Sequence, residues 1–573
     1  MDESTRAEIR KLALKNAYDY GKADFGSVLS KAIAKFPSLK PEMQQLREEV
    51  KNTVDTVNLF DRAGLEAAYA QFRDEFKKAD EEKAKETSKP KMVLEGAVAG
   101  QVVTRLSPEP SGYMHIGHVK QALLSMEFAR IYSGKLYRYF DDTNPEKCRQ
   151  EYVDAMKRDH DWLGIRADKE YYASDYIEQI YLYARQLVEA GKAYGCMCER
   201  ETVKKKRFAG EECEHRQQSA KANEDIFNKM LSGSYGPGEA IIRFKGDMKS
   251  ANTVMRDPAM LRIETAPHYR QGTKYRVWPL YDFNTPIIDS MNGITDIIRS
   301  KEYELRDELS ATILKSLGMR VPRMHLEARL NVKGNTTHKR EIRKMIEDKV
   351  IESWDDPRLM TIMALRRRGL VPEAIKEFVL RFGMSKTDGT VPLDMLLAEN
   401  RKIIDRTAKH LFMVTNPVRV TVADFGPIAV KMPLHPVQQY GDREYQVGGS
   451  IFIDGKDADE IAQGEAVRLK ELADVRVIDK GDAEIFADKH PPLPKSKVIQ
   501  WVPSEGCVKC TVTVPHDLLD DSGNLNPGSL EVMHGLAEGY VSRLGEHETV
   551  QFERFGYCIL DDKEKMSFIF ISK

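Results

Sequence analysis

No stretch of this chain approaches the roughly 18 to 20 consecutive apolar residues that a membrane-crossing helix needs, so no membrane partner is expected. The first residues, MDESTRAEIRKLALKN, are charged throughout and lack the apolar run of a secretory signal. Cysteine is sparse: seven among 573 residues, an odd number. That excludes a dense disulfide framework and fits a reducing compartment, so a cytoplasmic protein is expected. A net charge of one sign is also missing, since 88 Lys and Arg oppose 89 Asp and Glu to leave −1. No internal repeat is evident. What remains, 41% hydrophobic and 31% charged residues, suits a globular protein rich in surface charge. Its length is too great for one core and predicts several domains.

The neutral total conceals local clusters of cations. Lys204, Lys205, Lys206 and Arg207 lie together, as do Lys339, Arg340, Arg343 and Lys344, and then Arg366, Arg367 and Arg368. Screening makes electrostatics local, so such clusters can meet phosphates on a chain of no net charge. Solvated helix faces give the same pattern, so the clusters alone establish no nucleic-acid partner.

Along the chain the texture changes several times. Val28, Leu29, Ala32, Ile33 and Phe36 recur at helical spacing before Pro37, and Met43, Leu46, Val50, Val54 and Val57 do so after Pro41. The segment 73–91 is charged and nearly free of large apolar residues, and reads as a solvated helix end running into a linker. QVVTRL then predicts a short buried strand, and Pro108, Pro110, Ser111 and Gly112 force a loop. Val119, Leu123, Met126 and Ile131 fit a helix closed by Gly134, and KLYRYFDD (135–142) a second strand ending in two carboxylates. Strand, loop, helix and strand form a βαβ unit, whose ligands belong beyond the strand C-termini. Residues from about 355 to 410 are helical again. From about 416, alternation at Val418, Val420 and Val422, at Val475 and Val477, and at Cys510, Val512 and Val514 predicts one or two antiparallel barrels.

Chemistry concentrates in RLSPEPSGYMHIGH, Arg105 to His118. A helix that begins near His-Ile-Gly-His offers backbone N–H groups and its dipole to a phosphate. His115 and His118 add donors, and Gly117 has no side chain to keep a nucleotide away. A second constellation is CMCERETVKKKRFAGEECEH. There Cys196, Cys198, Cys213 and His215 form a CxC and a CxH pair separated by fourteen residues. Two ligands at each end of a short loop can close a tetrahedron around Zn²⁺, whereas free buried thiols are the plain alternative. Cys507 and Cys510 lie at i and i+3 in a predicted strand, face opposite ways, and read as structural.

The longer pattern, PEPSGYMHIGH followed by FDDTNP, resembles the glutamyl/glutaminyl branch of the class I aminoacyl-tRNA synthetases. WPLYDF (278–283), GITDIIRSKEY (293–303), SWDDPRL (353–359) and QFERFGYC (551–558) follow in that branch's order. The resemblance implies an α/β, Rossmann-type catalytic domain at 96–330 with an acceptor-stem-binding insertion at about 190–275. A helical N-terminal extension and linker would precede it at 1–95. The phosphate-lysine loop and helical connector would occupy 331–415, and β-barrels that read the anticodon 416–573. Helical N-terminus and β-rich C-terminus match the archaeal/eukaryotic type. No partner is assigned to the N-terminal helices.

The resemblance also implies ATP with Mg²⁺, and a second motif, KMSKS, whose lysine lies over the ATP phosphates. Two segments compete for it. GMSKT (383–387) matches the letters better, and TTHKR (336–340) matches the position just ahead of the connector. Position favours Thr336 to Arg340, with Lys339 as the phosphate lysine, although His338 stands where serine is usual. ATP would then meet Pro108, His115, Gly117, His118, Lys339 and Arg340, with His115, His118 and Lys339 catalytic. For the amino acid, Arg105 at a strand end can give a bidentate fork to a carboxylate, and Asp141 at the next can accept from an ammonium. By resemblance Ser107, Tyr281 and Arg299 line the same pocket. PSG, where glutaminyl members usually read PNG, together with YDFNTPIIDS (281–290) and RSKEYELRDE (299–308), tips the substrate from glutamine to glutamate. The partners implied are glutamate and tRNA(Glu), with tRNA(Gln) open. A glutaminyl enzyme and a non-catalytic tRNA-binding paralogue are the alternatives.

Overall fold

The apolar spacing of the N-terminal region folds into four helices, α1 (Glu3–Tyr20), α2 (Phe25–Lys35), α3 (Met43–Val57) and α4 (Arg62–Ala70). Asp24 and Asp61 cap α2 and α4 by accepting from the amides of Ser27 and Gly64. Leu46, Val50, Val54 and Val57 lie on one face of α3 and share a core with Ile9, Leu14, Val28 and Leu29. In the computed structural model, residues 3–36, 43–72, 92–386, 389–423, 425–481, 484–494 and 496–573 are described. The expected linker, 73–91, lies outside them. The helices belong to one unit, Met1–Pro90, and the rest of the chain, Lys91–Lys573, to a second. Among the described residues no helix is long and apolar enough to cross a membrane.

The second unit opens with the βαβ unit that the sequence predicts. Strand β1 (Val103–Leu106) leads through the Pro/Gly loop into α5 (Ile116–Ile131), and β2 (Lys135–Phe140) returns parallel to β1. After α6 (Gln150–Trp162), β3 (Lys169–Tyr172) extends the sheet, again parallel. One local expectation fails here. Gly134 does not supply the left-handed residue after α5, because Ser133 does (φ 49°). Gly134 is needed for space, since a Cβ there would sit 2.1 Å from the Val102 carbonyl oxygen.

An insertion follows. Helix α7 (Ile177–Glu189) leads to β4 (Ala193–Cys196), then α8 (Arg200–Ala209) and α9 (Ala220–Ser232). Strands β5 (Ile241–Phe244), β6 (Ala259–Ile263) and β7 (Val277–Pro279) complete an antiparallel four-stranded sheet in chain order. The chain then re-enters the parallel layer through α10 (Tyr281–Met291), β8 (Asp296–Ser300), α11 (Leu305–Ser316) and β9 (Arg323–Glu327). Strands β8 and β9 are parallel, and Thr295 N–H donates to the Val103 carbonyl to join them to β1 (2.9 Å). The ends of β1, β2, β8 and β9 thus come to one edge.

Beyond β10 (Leu330–Val332) come α12 (Lys339–Glu347), α13 (Ile362–Arg367), α14 (Pro372–Leu380), β11 (Gly389–Val391) and α15 (Leu393–Ile404). Ile375 and Phe378 of α14 share a core with Val119 and Leu123 of α5, so the helical connector packs directly on the His-Ile-Gly-His helix.

The C-terminal region forms two seven-stranded sheets. In one, the edge strands Lys409–Leu411 and Met413–Thr415 are separated in sequence only by Phe412. In the other, the edges Val498–Ile499 and Trp501–Pro503 are separated only by Gln500. Each sheet therefore closes on itself at one residue, which is what makes it barrel-like. Most strand pairs in the barrels are antiparallel, as expected, but parallel pairs occur among them. Val418–Ala423 runs parallel to Glu484–His490, and Val508–Pro515 runs parallel to Ser567–Ser572. Inward and outward residues alternate alike in either direction, so the pattern that found the strands carried no information about their pairing.

Candidate active site and metal centre

A cleft of about 530 Å³ lies at the shared edge, lined by residues that follow β1 (Ser107, Pro108), β2 (Asp141), β8 (Glu302) and β9 (Arg329). The first turn of α5 forms its wall. Ile116 N–H donates to the Met360 carbonyl (3.1 Å) and Ile362 N–H to the Met114 carbonyl (3.0 Å), so the turn is sewn to the chain ahead of α13.

The two histidines of that turn hold one another. His115 is the N-cap of α5 and its Nδ1 accepts from Gly117 N–H (3.1 Å), while His118 Nδ1 accepts from His115 N–H (3.2 Å). The rings lie 3.8 Å apart between centroids. With both Nδ1 atoms accepting, a neutral ring must carry its proton on Nε2. Burial, followed by the neighbouring His118, Lys339 and Arg329, keeps His115 well below the usual histidine range. Burial, then Lys339 and Arg329, brings His118 down to about 3. Both are therefore neutral Nε2–H donors at neutral pH, not cations.

This arrangement amends one expectation. The amides of Ile116, Gly117 and His118 already donate to Met360, His115 Nδ1 and the His115 carbonyl, so the helix does not present them free. Attraction for an anion falls to the dipole and the two Nε2–H groups. Gly117 serves the histidines too, since a Cβ there would lie 3.0 Å from His115 Cε1.

Lys339, the first residue of α12, reaches into the cleft, and its Nζ donates to Ser111 Oγ (3.2 Å). Its stem packs so closely on the loop that a Cβ at Gly112 would stand 2.8 Å from Lys339 Cδ. Burial lowers its ammonium from the usual lysine range. The rival, Lys386, is 64% exposed and faces Glu304 at 4.0 Å. Arg340 is exposed and lies with Lys339 and Arg343 along a neighbouring groove, outside the cleft itself.

At the other end stand the residues expected to hold an amino acid. Asp141 is buried, and its Oδ1 accepts from Asn284 Nδ2 (3.1 Å) and Thr143 Oγ1 (3.2 Å). Burial outweighs those bonds and pushes its carboxyl up to about 6. Tyr281 begins α10 and packs against Tyr303 (5.4 Å between centroids). Arg105, also fully buried, has its fork already engaged. Its Nε donates to Asp289 Oδ1 (3.0 Å) and its Nη2 to Asp289 Oδ2 (3.1 Å), while Nη1 donates to Ser107 Oγ (2.6 Å). Arg299 pairs with Asp307, yet its Nε is buried without a hydrogen-bond partner. The Nε of Arg262, a cleft residue of β6, is in the same state.

Sequence reasoning missed Asp289, Arg262 and Asn284. Asp289 and Asn284 sit in YDFNTPIIDS, a segment already singled out, but neither partner of the Arg105 pair announces a contact across 184 residues. Arg262 lies in the insertion, whose reach into the cleft no local pattern shows.

The cysteine cluster assembles as expected. One ligand atom from each of Cys196, Cys198, Cys213 and His215 lies within 4.8 Å of the others. Cys196 Sγ and Cys213 Sγ are 3.9 Å apart, and Cys198 Sγ is 3.4 Å from His215 Nδ1. Tetrahedral Zn²⁺ with bonds of about 2.3 Å sets its sulfurs about 3.8 Å apart, so the spacing fits. A second observation agrees. Arg243 is buried and turns Nη1 toward both Cys196 Sγ (3.8 Å) and Cys213 Sγ (3.7 Å). Its Nε donates to the Asp257 backbone carbonyl (2.9 Å), while the Asp257 carboxylate takes Arg216 (2.8 Å). A buried guanidinium without a carboxylate calls for negative charge beside it, and thiolates holding a metal would supply it. Cys507 and Cys510 pack against different cores, as a structural pair would.

The family described as tRNA synthetases class I (E and Q), catalytic domain, matches residues 101–405. Its anti-codon binding domains match residues 408–487 and 498–561. A glutamate–tRNA ligase of Nitrosopumilus maritimus is 38% identical over 572 residues, covering 99% of this chain and 100% of that one. Another, of Cenarchaeum symbiosum, is 39% identical over 96% of this chain and 97% of that one. A third, of Pyrococcus furiosus, is 36% identical over 97% and 98% respectively.

Proposed function

The chain belongs to the class I tRNA synthetases of the glutamate and glutamine type, and from that premise we propose that it is a glutamate–tRNA ligase. The observation that carries this reading is identity spread over nearly the whole length of curated glutamate–tRNA ligases, catalytic and anticodon-binding parts together.

The reaction has two steps. An oxygen of the glutamate α-carboxylate attacks the ATP α-phosphorus, and pyrophosphate leaves. The 2′-hydroxyl of the tRNA 3′-terminal adenosine then attacks the carbonyl carbon of the glutamyl-adenylate, and AMP leaves. Positioning and charge neutralisation supply most of the acceleration in the first step. His115 and His118 direct two Nε2–H donors at the phosphates, and Lys339 brings the positive charge. Magnesium bound with ATP would neutralise phosphate charge, and would need one or two carboxylates besides its waters. Glu109, which lines the cleft and also the groove beside Lys339, would supply one.

Asp141 in its ionised form accepts from the glutamate ammonium. The unused Nε donors of Arg299 and Arg262 serve the carboxylates, while Arg105 shapes the pocket through Asp289 and Ser107. Cys196, Cys198, Cys213 and His215 would hold Zn²⁺, which would tie the ends of the α8 loop to β4. The test is charging of purified tRNA(Glu) and tRNA(Gln) with labelled glutamate and glutamine. Glutamate on tRNA(Glu) is the expected product. Preference for glutamine overturns the reading in favour of a glutaminyl enzyme, and no charging at all favours a binding paralogue.

A further inference from the structure

Helix α8 buries no residue and sets Arg200, Lys204, Lys205, Lys206 and Arg207 against one acid, Glu201. Near its end Phe208 is 84% exposed. A ring left in water forgoes its burial energy, which a helix free to turn would recover. This helix is not free to turn. Arg207 Nε donates to the Arg256 carbonyl (2.7 Å) and Nη2 to the Thr253 carbonyl (3.2 Å). Arg256 Nη1 donates back to the carbonyls of Arg207 (3.1 Å) and Phe208 (2.8 Å). Gly210 then ends the helix with φ +69° at a point where a Cβ would lie 2.8 Å from the Met248 carbonyl oxygen. The backbone is fastened on both sides of Phe208, so the outward direction of the ring is built in.

The same clamp is tied to the rim of the cleft. Asn252 Nδ2 donates to the Leu305 carbonyl (2.7 Å) and to Glu308 Oε2 (2.9 Å), both in α11. Arg306, beside Leu305, lines the cleft, and it and Asp282 are near enough to act on the Arg207 charge. An exposed aromatic thus stands at the end of a cation-rich helix that is anchored to the edge of the reaction site.

We propose that Phe208 is a stacking platform for a base of the tRNA acceptor end, with Lys204 and Lys205 meeting the adjacent phosphates. The proposal rests on the function given above, which requires the 3′-terminal adenosine to enter the cleft and its neighbours to pass the rim. Every base offers a π-face, so a ring held in this way grips without reading sequence. A groove on a protein partner would also cover a ring, but the cation-rich helix that carries it complements a polyanion.

The test uses the full chain with Phe208→Ala, Phe208→Leu and Phe208→Trp, an unmodified tRNA(Glu) transcript, and a minihelix of its acceptor stem. Phe208→Ala is expected to lower kcat/KM for tRNA roughly 5- to 150-fold, the range for losing one base–aromatic stack. The KM values for glutamate and ATP should stay unchanged. Leucine keeps the apolar area but not the ring, and should behave like alanine. Tryptophan should retain activity, and its added emission should be quenched when the minihelix binds. Phe208→Ala within twofold of wild type, or leucine as good as phenylalanine, overturns the proposal. Wild-type protein that charges neither tRNA overturns the proposed function instead, and the minihelix titration still reports on the stack.

Discussion

Replacing Lys339 by alanine removes a positive charge whose surroundings determine its worth. The Nζ lies in a walled cleft 3.2 Å from Ser111 Oγ, in a loop that leads to the histidine turn. A unit charge about 4 Å from a developing phosphate charge is worth about 4 kcal/mol at an effective dielectric constant near 20. That corresponds to roughly three powers of ten in rate, in line with losing one preorganised donor. Lys386 gives the control. It is 64% exposed, and an exposed pair such as its 4.0 Å contact with Glu304 contributes at most about 1 kcal/mol, or roughly fivefold. The assay is pyrophosphate exchange with glutamate and tRNA(Glu) present, comparing Lys339→Ala and Lys386→Ala. The expected result is a fall of two to four powers of ten for the first and less than fivefold for the second, with glutamate KM little changed in both. Gly112→Ala should slow the same step without removing a charge, because its Cβ would displace the lysine stem. The reasoning is refuted if Lys386→Ala causes the large loss and Lys339→Ala the small one.

Three further outcomes follow from other parts of the cleft and its insertion. Arg105→Ala strands the buried Asp289 carboxylate, so thermal unfolding should show a loss of about 3–5 kcal/mol, largely recovered in Arg105→Met with Asp289→Leu; an unchanged melting temperature would contradict the pairing. Asp141 is held up to about 6 against 3.8 outside the fold, so between those values the native state holds the extra proton and stability declines as pH rises through the window. Because glutamate binding needs its ionised form, kcat/KM for glutamate should fall below about pH 6, and Asp141→Asn should remove that limb rather than shift it; a limb that survives the substitution would assign it elsewhere. Elemental analysis should find about one zinc per chain, lost in Cys196→Ser with Cys198→Ser and held more weakly in Arg243→Met, whereas a metal-free wild type of equal stability would sink the assignment.

The parts that were legible in the sequence share a local signature. The βαβ unit showed in QVVTRL, the Pro/Gly loop and KLYRYF because each of its elements has its own periodicity. The Cys/His cluster showed because its two pairs sit at either end of one short segment. The choice between Lys339 and Lys386 also came from order along the chain, and the geometry puts the former in the cleft. What stayed hidden was non-local or two-sided. Arg105 advertises a fork without advertising that Asp289 fills it. Helix α5 advertises free amides without showing that Met360 and His115 take them. Gly134 looked like a helix terminator because glycine usually is one there, while its real constraint is the Val102 carbonyl across the strand.

The single-residue closure at Phe412 bears on how the chain is made. Lys409–Leu411 pairs with Val550–Phe552 and Met413–Thr415 with Gly535–Ala537, well over a hundred residues later. Synthesis at 5–20 residues per second leaves those two short strands without partners for roughly 6 to 28 seconds. Even then the barrel is incomplete, because Ser567–Ser572 lies inside the sheet between Val508–Pro515 and Gly556–Asp562, and not at its edge. A ribosome that stalls before residue 567 would release a sheet with two open edges and the apolar faces of Val512 and Leu560 uncovered, the kind of surface on which chains aggregate. Folding of the anticodon region is therefore deferred until Ser567–Ser572 is made, while the βαβ unit, whose partners lie within some forty residues of one another, can form long before.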